Sequence, residues 1–123
     1  MKKTRIMIVE DNQIVAEDIR QTLVGFGYEV TGVAGGGENA LSIAGEGIVD
    51  LALMDVNLGE KRDGIEIAAE LKERYGIPVV YLTAHSDMQT IERAKKTEPF
   101  GFLIKPYDEP ELRSTLEVTV YRY

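Results

Sequence analysis

The sequence has 123 residues, of which 44% are hydrophobic and 28% charged, and this composition is typical of one globular domain. The absence of cysteine excludes disulfide and thiolate chemistry and fits a cytoplasmic protein. No apolar run is long enough to cross a membrane or to act as a signal peptide, so no membrane partner is expected. The 21 acidic and 14 basic residues give a net charge of −7, which argues against direct nucleic-acid binding and favours metal cations and basic partner surfaces.

Short apolar runs alternate along the chain with segments in which apolar residues recur at helical spacing. In chain order the predicted elements are strand RIMIV (5–9), helix QIVAEDIRQTL (13–23), strand YEVTGVA (28–34), helix GGGENALSIAGEG (35–47), strand VDLALM (49–54), helix DGIEIAAELKERYG (63–76), strand IPVVYLT (77–83), helix DMQTIERAKK (87–96), strand GFLI (101–104) and helix EPELRSTLEVTVYRY (109–123). Five strands alternating with five helices predict a doubly wound α/β fold, with helices on both faces of a parallel sheet. Residues 1–123 are expected to form one domain.

Several helices carry signals for their start or their buried face. Asp63, followed three residues later by Glu66, predicts a capped start for the third helix. Val15, Ile19 and Leu23 recur at helical spacing on the first helix, and Leu112, Leu116 and Val120 form one apolar face of the last.

Polar side chains stand where four of the five predicted strands end. Glu10 and Asp11 follow the first strand, Asp55 follows the third, and Thr83 and Lys105 lie at the ends of the fourth and fifth. Reactive groups of doubly wound sheets lie at the carboxyl ends of the strands. We therefore expect these five side chains to meet at one edge of the sheet.

Each of these four strand ends also has a structural explanation. Asp11 or Asn12 could cap the first helix, and Asp55 could form a turn. Thr83 could be an ordinary β-branched strand residue, and Lys105 a solvated lysine. Taken singly, these explanations are the commoner ones, but four polar strand ends at one edge of one sheet favour a functional site.

The charges of the predicted cluster favour a divalent cation and a phosphoryl group. Glu10, Asp11 and Asp55 contribute −3 and Lys105 +1, which leaves −2 for one divalent ion to balance. Carboxylate oxygens suit Mg²⁺ better than a soft metal. Asp55 is the natural nucleophile, because a carboxylate can form an acyl phosphate, while Lys105 and the Thr83 hydroxyl can donate to phosphoryl oxygens.

The ordered set of motifs closely resembles the receiver domain of two-component response regulators. The motifs are VEDN after the first strand, LMDVN at the third, LTA at the fourth and IKP at the fifth. The resemblance covers essentially the whole chain. It implies a flavodoxin-like sheet with strand order 2-1-3-4-5, and a phosphoryl group that passes from the phosphohistidine of a histidine kinase or phosphotransfer protein to Asp55. It implies no enzymatic activity beyond the chain's own phosphorylation and dephosphorylation.

The same resemblance assigns roles around the site. It implies that Mg²⁺ is bound by Glu10, Asp11 and Asp55, with the backbone carbonyl of Asn57 as a further ligand. It also implies that Thr83 and Lys105 bind the phosphoryl oxygens.

Further expectations concern the switch. Phe102 matches the family's aromatic switch position, although a core aromatic of the fifth strand explains it equally well. The resemblance implies a cis Lys105–Pro106 bond, and a partner-binding face on the fourth helix, fifth strand and fifth helix that could also form a homodimer. His85 lies two residues past Thr83, as Asn57 does past Asp55, so we expect His85 and Asn57 to set the lifetime of the phosphorylated state.

Two other classes of protein compete with this interpretation. A Mg²⁺-dependent phosphatase with an aspartyl-phosphate intermediate would share Asp55 and Lys105, but would usually carry a second acid where this chain has Asn57. It would also need a substrate cap, for which 123 residues leave no room. A flavin-binding module would need a glycine-containing phosphate loop after the first strand, where the sequence reads VEDNQIV.

Overall fold

Five parallel strands and five helices alternate along the chain in the computed structural model, which describes residues 3–56, 64–84, 88–97 and 99–122. The strands are β1 (Arg5–Val9), β2 (Glu29–Ala34), β3 (Leu51–Asp55), β4 (Val79–Ala84) and β5 (Gly101–Lys105). The helices are α1 (Gln13–Gly25), α2 (Gly37–Ala44), α3 (Gly64–Tyr75), α4 (Met88–Lys96) and α5 (Glu109–Arg122). The predicted sequence of elements is confirmed.

All neighbouring strands pair in parallel, in the order β2-β1-β3-β4-β5. This order confirms the doubly wound sheet that the family resemblance implied. The strand order reverses between β1 and β3, so the ends of these two strands open the crevice in which such sheets place their sites. β3 is central, and all five of its residues are buried.

Two apolar clusters cover the two faces of the sheet. One packs β-strand residues such as Met54 and Tyr81 against α2, α3 and α4, and the other packs residues such as Leu53 and Leu82 against α1 and α5. Alternate residues of a strand point to opposite faces, which is why neighbours along β3 and β4 enter different clusters. Among the described residues, no helix is long and apolar enough to cross a membrane.

Two predicted helix faces are wrong by one position. Val15 is 37% exposed while Ala16 is buried, so α1 packs with Ala16, Ile19 and Leu23. Likewise, Val120 is 37% exposed, and Thr119 takes its place beside Leu112 and Leu116. Both observed faces follow spacings of three and four residues. The larger leucine and isoleucine side chains determine how each helix docks on the sheet, and this orientation turns the small or polar residue inwards.

The bounds of several elements shift by one to three residues from the predicted ones. β3 includes Asp55, and β5 includes Lys105, so both residues belong to strands. β4 begins only at Val79, after Pro78, which has no N–H for the strand ladder. Asp63, the predicted cap of the third helix, lies outside the described residues.

Candidate functional site

The pairing of β1 with β3 makes two carboxylates neighbours. Val9 lies opposite Met54, so the next residue on each strand, Glu10 on one side and Asp55 on the other, reaches the same edge of the sheet. Both side chains are buried, with 4% of Glu10 and 7% of Asp55 exposed. A cation close to these two positions would offset the repulsion between the two carboxylates.

The remaining strands extend this row of side chains. Asp55 lies opposite Leu82 on β4, and Thr83 lies opposite Ile104 on β5, so Thr83 and Lys105 follow at the same edge. Thr83 is buried, and Lys105 is partly exposed. Adjacent strand ends therefore bring four of the predicted side chains, Glu10, Asp55, Thr83 and Lys105, to one edge of the sheet.

Three carboxylates form a compact group at this edge. Oxygen atoms of Glu10, Asp11 and Asp55 all lie within 4.8 Å of one another, and Asp11 is exposed whereas the other two are buried. An exposed acid beside two buried ones gives the group an opening to solvent. An ion could enter through that opening.

Asp11 is not the cap of α1. The Asn12 side-chain oxygen accepts hydrogen bonds from the N–H groups of Ile14 and Val15, at 3.0 and 3.1 Å, and so satisfies the first turn of the helix. Of the two residues proposed as a cap, Asn12 has that role. The structural explanation for Asp11 is therefore lost, which leaves its carboxylate beside the other two acids.

Lys105 reaches both buried acids. Its Nζ donates to Asp55 Oδ2 at 3.3 Å and lies 3.7 Å from Glu10 Oε1. The Lys105–Pro106 peptide bond is cis, as the resemblance implied. The Lys105 side chain is 37% exposed, so its ammonium group borders both the buried acids and solvent.

Glu10 is the acid most affected by its surroundings. Burial raises its pKa to about 7, and the neighbouring Asp55 and Asp11 carboxyls add to this effect, while the hydrogen bond that the Asn12 N–H donates to Glu10 Oε2, at 3.1 Å, acts in the opposite direction. The other oxygen, Oε1, is buried and has no hydrogen-bond partner among the described residues. A buried acceptor without a donor is a position that a cation can occupy.

These observations fit Mg²⁺. The donor atoms are carboxylate oxygens, which are hard ligands, and one of them lacks a hydrogen-bond partner in the described structure. Glu10, Asp11 and Asp55 would hold the ion. Asn57, whose backbone carbonyl was the fourth expected ligand, lies outside the described residues.

Phe102 and His85 are two further positions predicted to take part in the switch, and the structure describes the first of them. Phe102 is half-buried on β5, and its ring makes an edge-to-face contact with Tyr81 on β4, with 6.4 Å between the ring centroids. This contact accords with a core aromatic and equally with a ring that moves when β4 changes. His85, like Asn57, lies outside the described residues.

Gly64 supports the site and was missed by the sequence analysis. Its N–H donates to the Val56 carbonyl at 2.9 Å, which fixes the start of α3 against the end of β3. A Cβ at this position would overlap the Asp55 carbonyl oxygen and lie 2.9 Å from the Val56 Cα, so only glycine fits without a backbone shift. The signal in the sequence was a glycine just after a predicted helix cap, where a helix former would be expected.

The fold and the site together define a class: a parallel α/β domain with a cluster of three acids and a lysine at the carboxyl edge of its sheet. The family model described as "Response regulator receiver domain" matches residues 6–117. The chain belongs to this family of signalling domains. Membership supports a role in phosphorylation-dependent signalling.

Named relatives agree with this assignment. The chain is 35% identical over 119 residues to the transcriptional regulatory protein PdtaR of Mycobacterium tuberculosis, an alignment that covers 97% of this chain and 58% of PdtaR. It is 38% identical over 113 residues to the transcriptional regulatory protein ZraR of Escherichia coli, which covers 91% of this chain and 25% of ZraR. The chain thus spans about half of one curated relative and a quarter of the other.

Solved structures show the same fold. The signal receiver domain of a modulated diguanylate cyclase from Desulfovibrio desulfuricans superimposes with a TM-score of 0.90 at 35% identity, covering 98% of this chain and 96% of that one. The N-terminal domain of a response regulator/sensory box/GGDEF 3-domain protein from Carboxydothermus hydrogenoformans gives a TM-score of 0.87 at 34% identity, with coverage of 98% and 96%.

Proposed function

We propose that the chain accepts a phosphoryl group on Asp55 from the phosphohistidine of a histidine kinase or phosphotransfer protein, with Mg²⁺ bound by Glu10, Asp11 and Asp55. The observation that carries this proposal is the buried Asp55 carboxylate, 3.3 Å from the Lys105 ammonium and grouped with two further acids. A divalent ion can neutralise this group of acids. Asp55 lies at the end of β3, at the edge of the sheet where a phosphoryl donor would approach.

The transfer is a displacement at phosphorus. An oxygen of Asp55 forms the new P–O bond while the P–N bond to the donor histidine breaks, and the electron pair of that bond stays on the histidine nitrogen. A bound Mg²⁺ supplies positive charge that offsets the charge of the carboxylates and of the phosphoryl oxygens. Lys105 moves its ammonium from Asp55 towards a phosphoryl oxygen, and the Thr83 hydroxyl donates to another.

The response that we propose is a shift of the surface formed by α4, β5 and α5. Thr83 and Tyr81 lie on the same side of β4, and Tyr81 contacts Phe102 on β5. A Thr83 side chain drawn towards the phosphoryl group would therefore disturb the packing of Phe102. We call the resulting arrangement the displaced state; it is the form in which a partner, or a second copy of the chain, would bind this surface.

Labelling with acetyl phosphate tests the acceptor. We expect Mg²⁺-dependent phosphorylation, seen as a mass increase of the intact chain and placed at Asp55 by peptide mass spectrometry after borohydride trapping. Asp55→Asn should abolish the label, whereas Asp18→Asn, a change at an exposed acid of α1, should leave it unchanged. A label that survives Asp55→Asn at the wild-type level would refute the assignment. Steady turnover of a small phosphomonoester would instead support the phosphatase alternative.

A further inference from the structure

Tyr81 connects the strand of the site with its neighbours. Its side chain is 1% exposed, on the face of the sheet that carries α2, α3 and α4. The pairing of β4 with β5 places Tyr81 opposite Phe102, and their rings make the edge-to-face contact described above. Since Thr83 lies two residues farther along β4, it points to the same side of the strand. Tyr81 thus contacts the ring of Phe102 on one side and lies two residues from Thr83 of the candidate site on the other.

The hydroxyl of Tyr81 reaches the end of α4. It lies 2.8 Å from Thr97 Oγ1, and Thr97 Oγ1 lies 2.7 Å from the carbonyl oxygen of Ala94. A threonine hydroxyl has one proton, and here it is donated to the carbonyl, so the Tyr81 O–H must be the donor to Thr97. The result is a directed chain of two hydrogen bonds from Tyr81 through Thr97 to Ala94, which we call the Tyr81 latch. It adds a side-chain hydrogen bond to a carbonyl in the last turn of α4 that also accepts from the Thr97 N–H at 3.1 Å.

The latch holds a helix that is otherwise attached lightly. Among the side chains of α4 that the structure describes, only Ile91 and Ala94 are buried, and Met88 at its start is 63% exposed. Lys72 of α3 adds one long hydrogen bond, from Nζ to the Thr97 carbonyl at 3.4 Å. Buried Ala94 and the polar contacts at Thr97 therefore hold the C-terminal end of α4 together, and hydrogen bonds in a buried setting depend strongly on geometry.

We propose that the Tyr81 latch holds the C-terminal end of α4 on β4 and so opposes the displaced state, which makes Tyr81 and Thr97 positioning residues for the switch. This inference rests on the proposed function, because that function supplies the displaced state. A contact present in only one of two states shifts the balance towards that state, and its loss favours the other. Removing the latch therefore makes the displaced state easier to reach.

Hydrogen exchange tests the hold on α4 without any phosphoryl group. Tyr81→Phe keeps the ring and removes the donor, while Thr97→Val keeps the shape and removes the acceptor. We expect amides in the last turn of α4 to exchange about two- to tenfold faster in each variant, the range set by one net hydrogen bond. Amides of β1 and β3 should keep their wild-type rates. Tyr28→Phe is the matched control, because Tyr28 is half-buried on the opposite face of the sheet.

The double variant Tyr81→Phe with Thr97→Val tests whether the two residues act through one chain of hydrogen bonds or independently. Thr97→Val removes the hydroxyl that accepts from the Tyr81 O–H, whereas the combination with Tyr81→Phe removes the donor as well. We expect the double variant to exchange no faster than Thr97→Val alone, because the two residues act through one chain of bonds. Effects that multiply would show that the two residues act independently, and the latch would be wrong.

Beryllofluoride, a mimic of the phosphoryl group, tests the coupling to the site. With Mg²⁺ present, Tyr81→Phe and Thr97→Val should bind the mimic about two- to tenfold more tightly than wild type, because less of the binding energy is used to break the latch. Tyr28→Phe should bind like wild type. Faster exchange with unchanged mimic affinity would overturn the inference, and so would unchanged exchange. If wild type did not bind the mimic, the proposed function would fail, while the exchange rates would still decide whether the latch holds α4.

Discussion

Glu10 shows how one residue can belong both to the core and to the site. Its backbone N–H continues the sheet by donating to the Ala34 carbonyl, while its side chain turns into the acidic group beside Asp55. The strand register buries this carboxyl. Burial makes its ionisation unfavourable in free energy, and a nearby cation can offset that cost. The pH dependence of stability should therefore depend on whether Mg²⁺ is present.

In the absence of Mg²⁺, we expect the Glu10 contribution to the free energy of unfolding to decrease as pH rises. The pKa of Glu10 is about 7 in the folded chain and 4.5 in its ordinary setting, so the folded state holds the proton over a wider pH range. The contribution is complete below the lower pKa and is lost as pH rises through the higher one, with an upper limit of about 3 kcal/mol. Urea unfolding in EDTA between about pH 5 and 8 measures it.

Two comparisons make this prediction specific. Glu10→Gln should remove the extra loss of stability at high pH, while Glu46→Gln, at an exposed acid, should not. A Mg²⁺ ion held as proposed would compete with the proton for Glu10, so the affinity of the chain for Mg²⁺ should increase from pH 6 to 8 by up to about tenfold for each pH unit below the pKa of Glu10. Equal pH slopes for wild type and Glu10→Gln would contradict the assignment.

At the level of elements, the start of α3 packs closely against the end of β3 at Gly64. We expect Gly64→Ala to destabilise the chain by about 1–3 kcal/mol, because the added Cβ must push the backbone of Asp55 or Val56. The same shift should slow labelling of Asp55 by acetyl phosphate. Gly25→Ala is the control, since a Cβ there meets nothing within 4 Å and α1 should tolerate alanine. Equal urea midpoints for both variants would show that the junction is not tight.

Apolar periodicity determined the elements because short strands and amphipathic helices carry it locally. It could not decide between Val15 and Ala16 as the buried residue of α1, since both fit a helical spacing and only the docking angle selects one. The strand ends of the site were predictable for a related reason: parallel strands bring their ends to one edge whatever the details of packing. The close contact at Gly64 and the Tyr81 latch were not predicted, because each depends on how atoms of two different elements meet after packing.

At the scale of the whole molecule, the two edges of the sheet differ in what they expose. β5 forms one edge and carries Ile104, which is 37% exposed, with Phe100 at 39% just before the strand. β2 forms the other edge and carries Val33, which is 43% exposed. Single exposed apolar side chains are ordinary, but one on the edge strand and one just before it give a surface that a second copy can cover.

We expect beryllofluoride with Mg²⁺ to shift the chain from monomer towards dimer through the α4–β5–α5 surface, because the displaced state alters the packing behind that surface. Ile104→Glu should prevent this association by placing a charge in the contact, whereas Val33→Glu, an equivalent change on the opposite edge, should allow it. Sedimentation velocity at several protein concentrations measures the dimer fraction with and without the mimic. Amide shifts of the monomeric Ile104→Glu variant separate the two steps: shifts that persist across α4, β5 and α5 would show that the switch precedes association. A dimer that Val33→Glu abolishes and Ile104→Glu leaves intact would instead place the contact on the β2 edge.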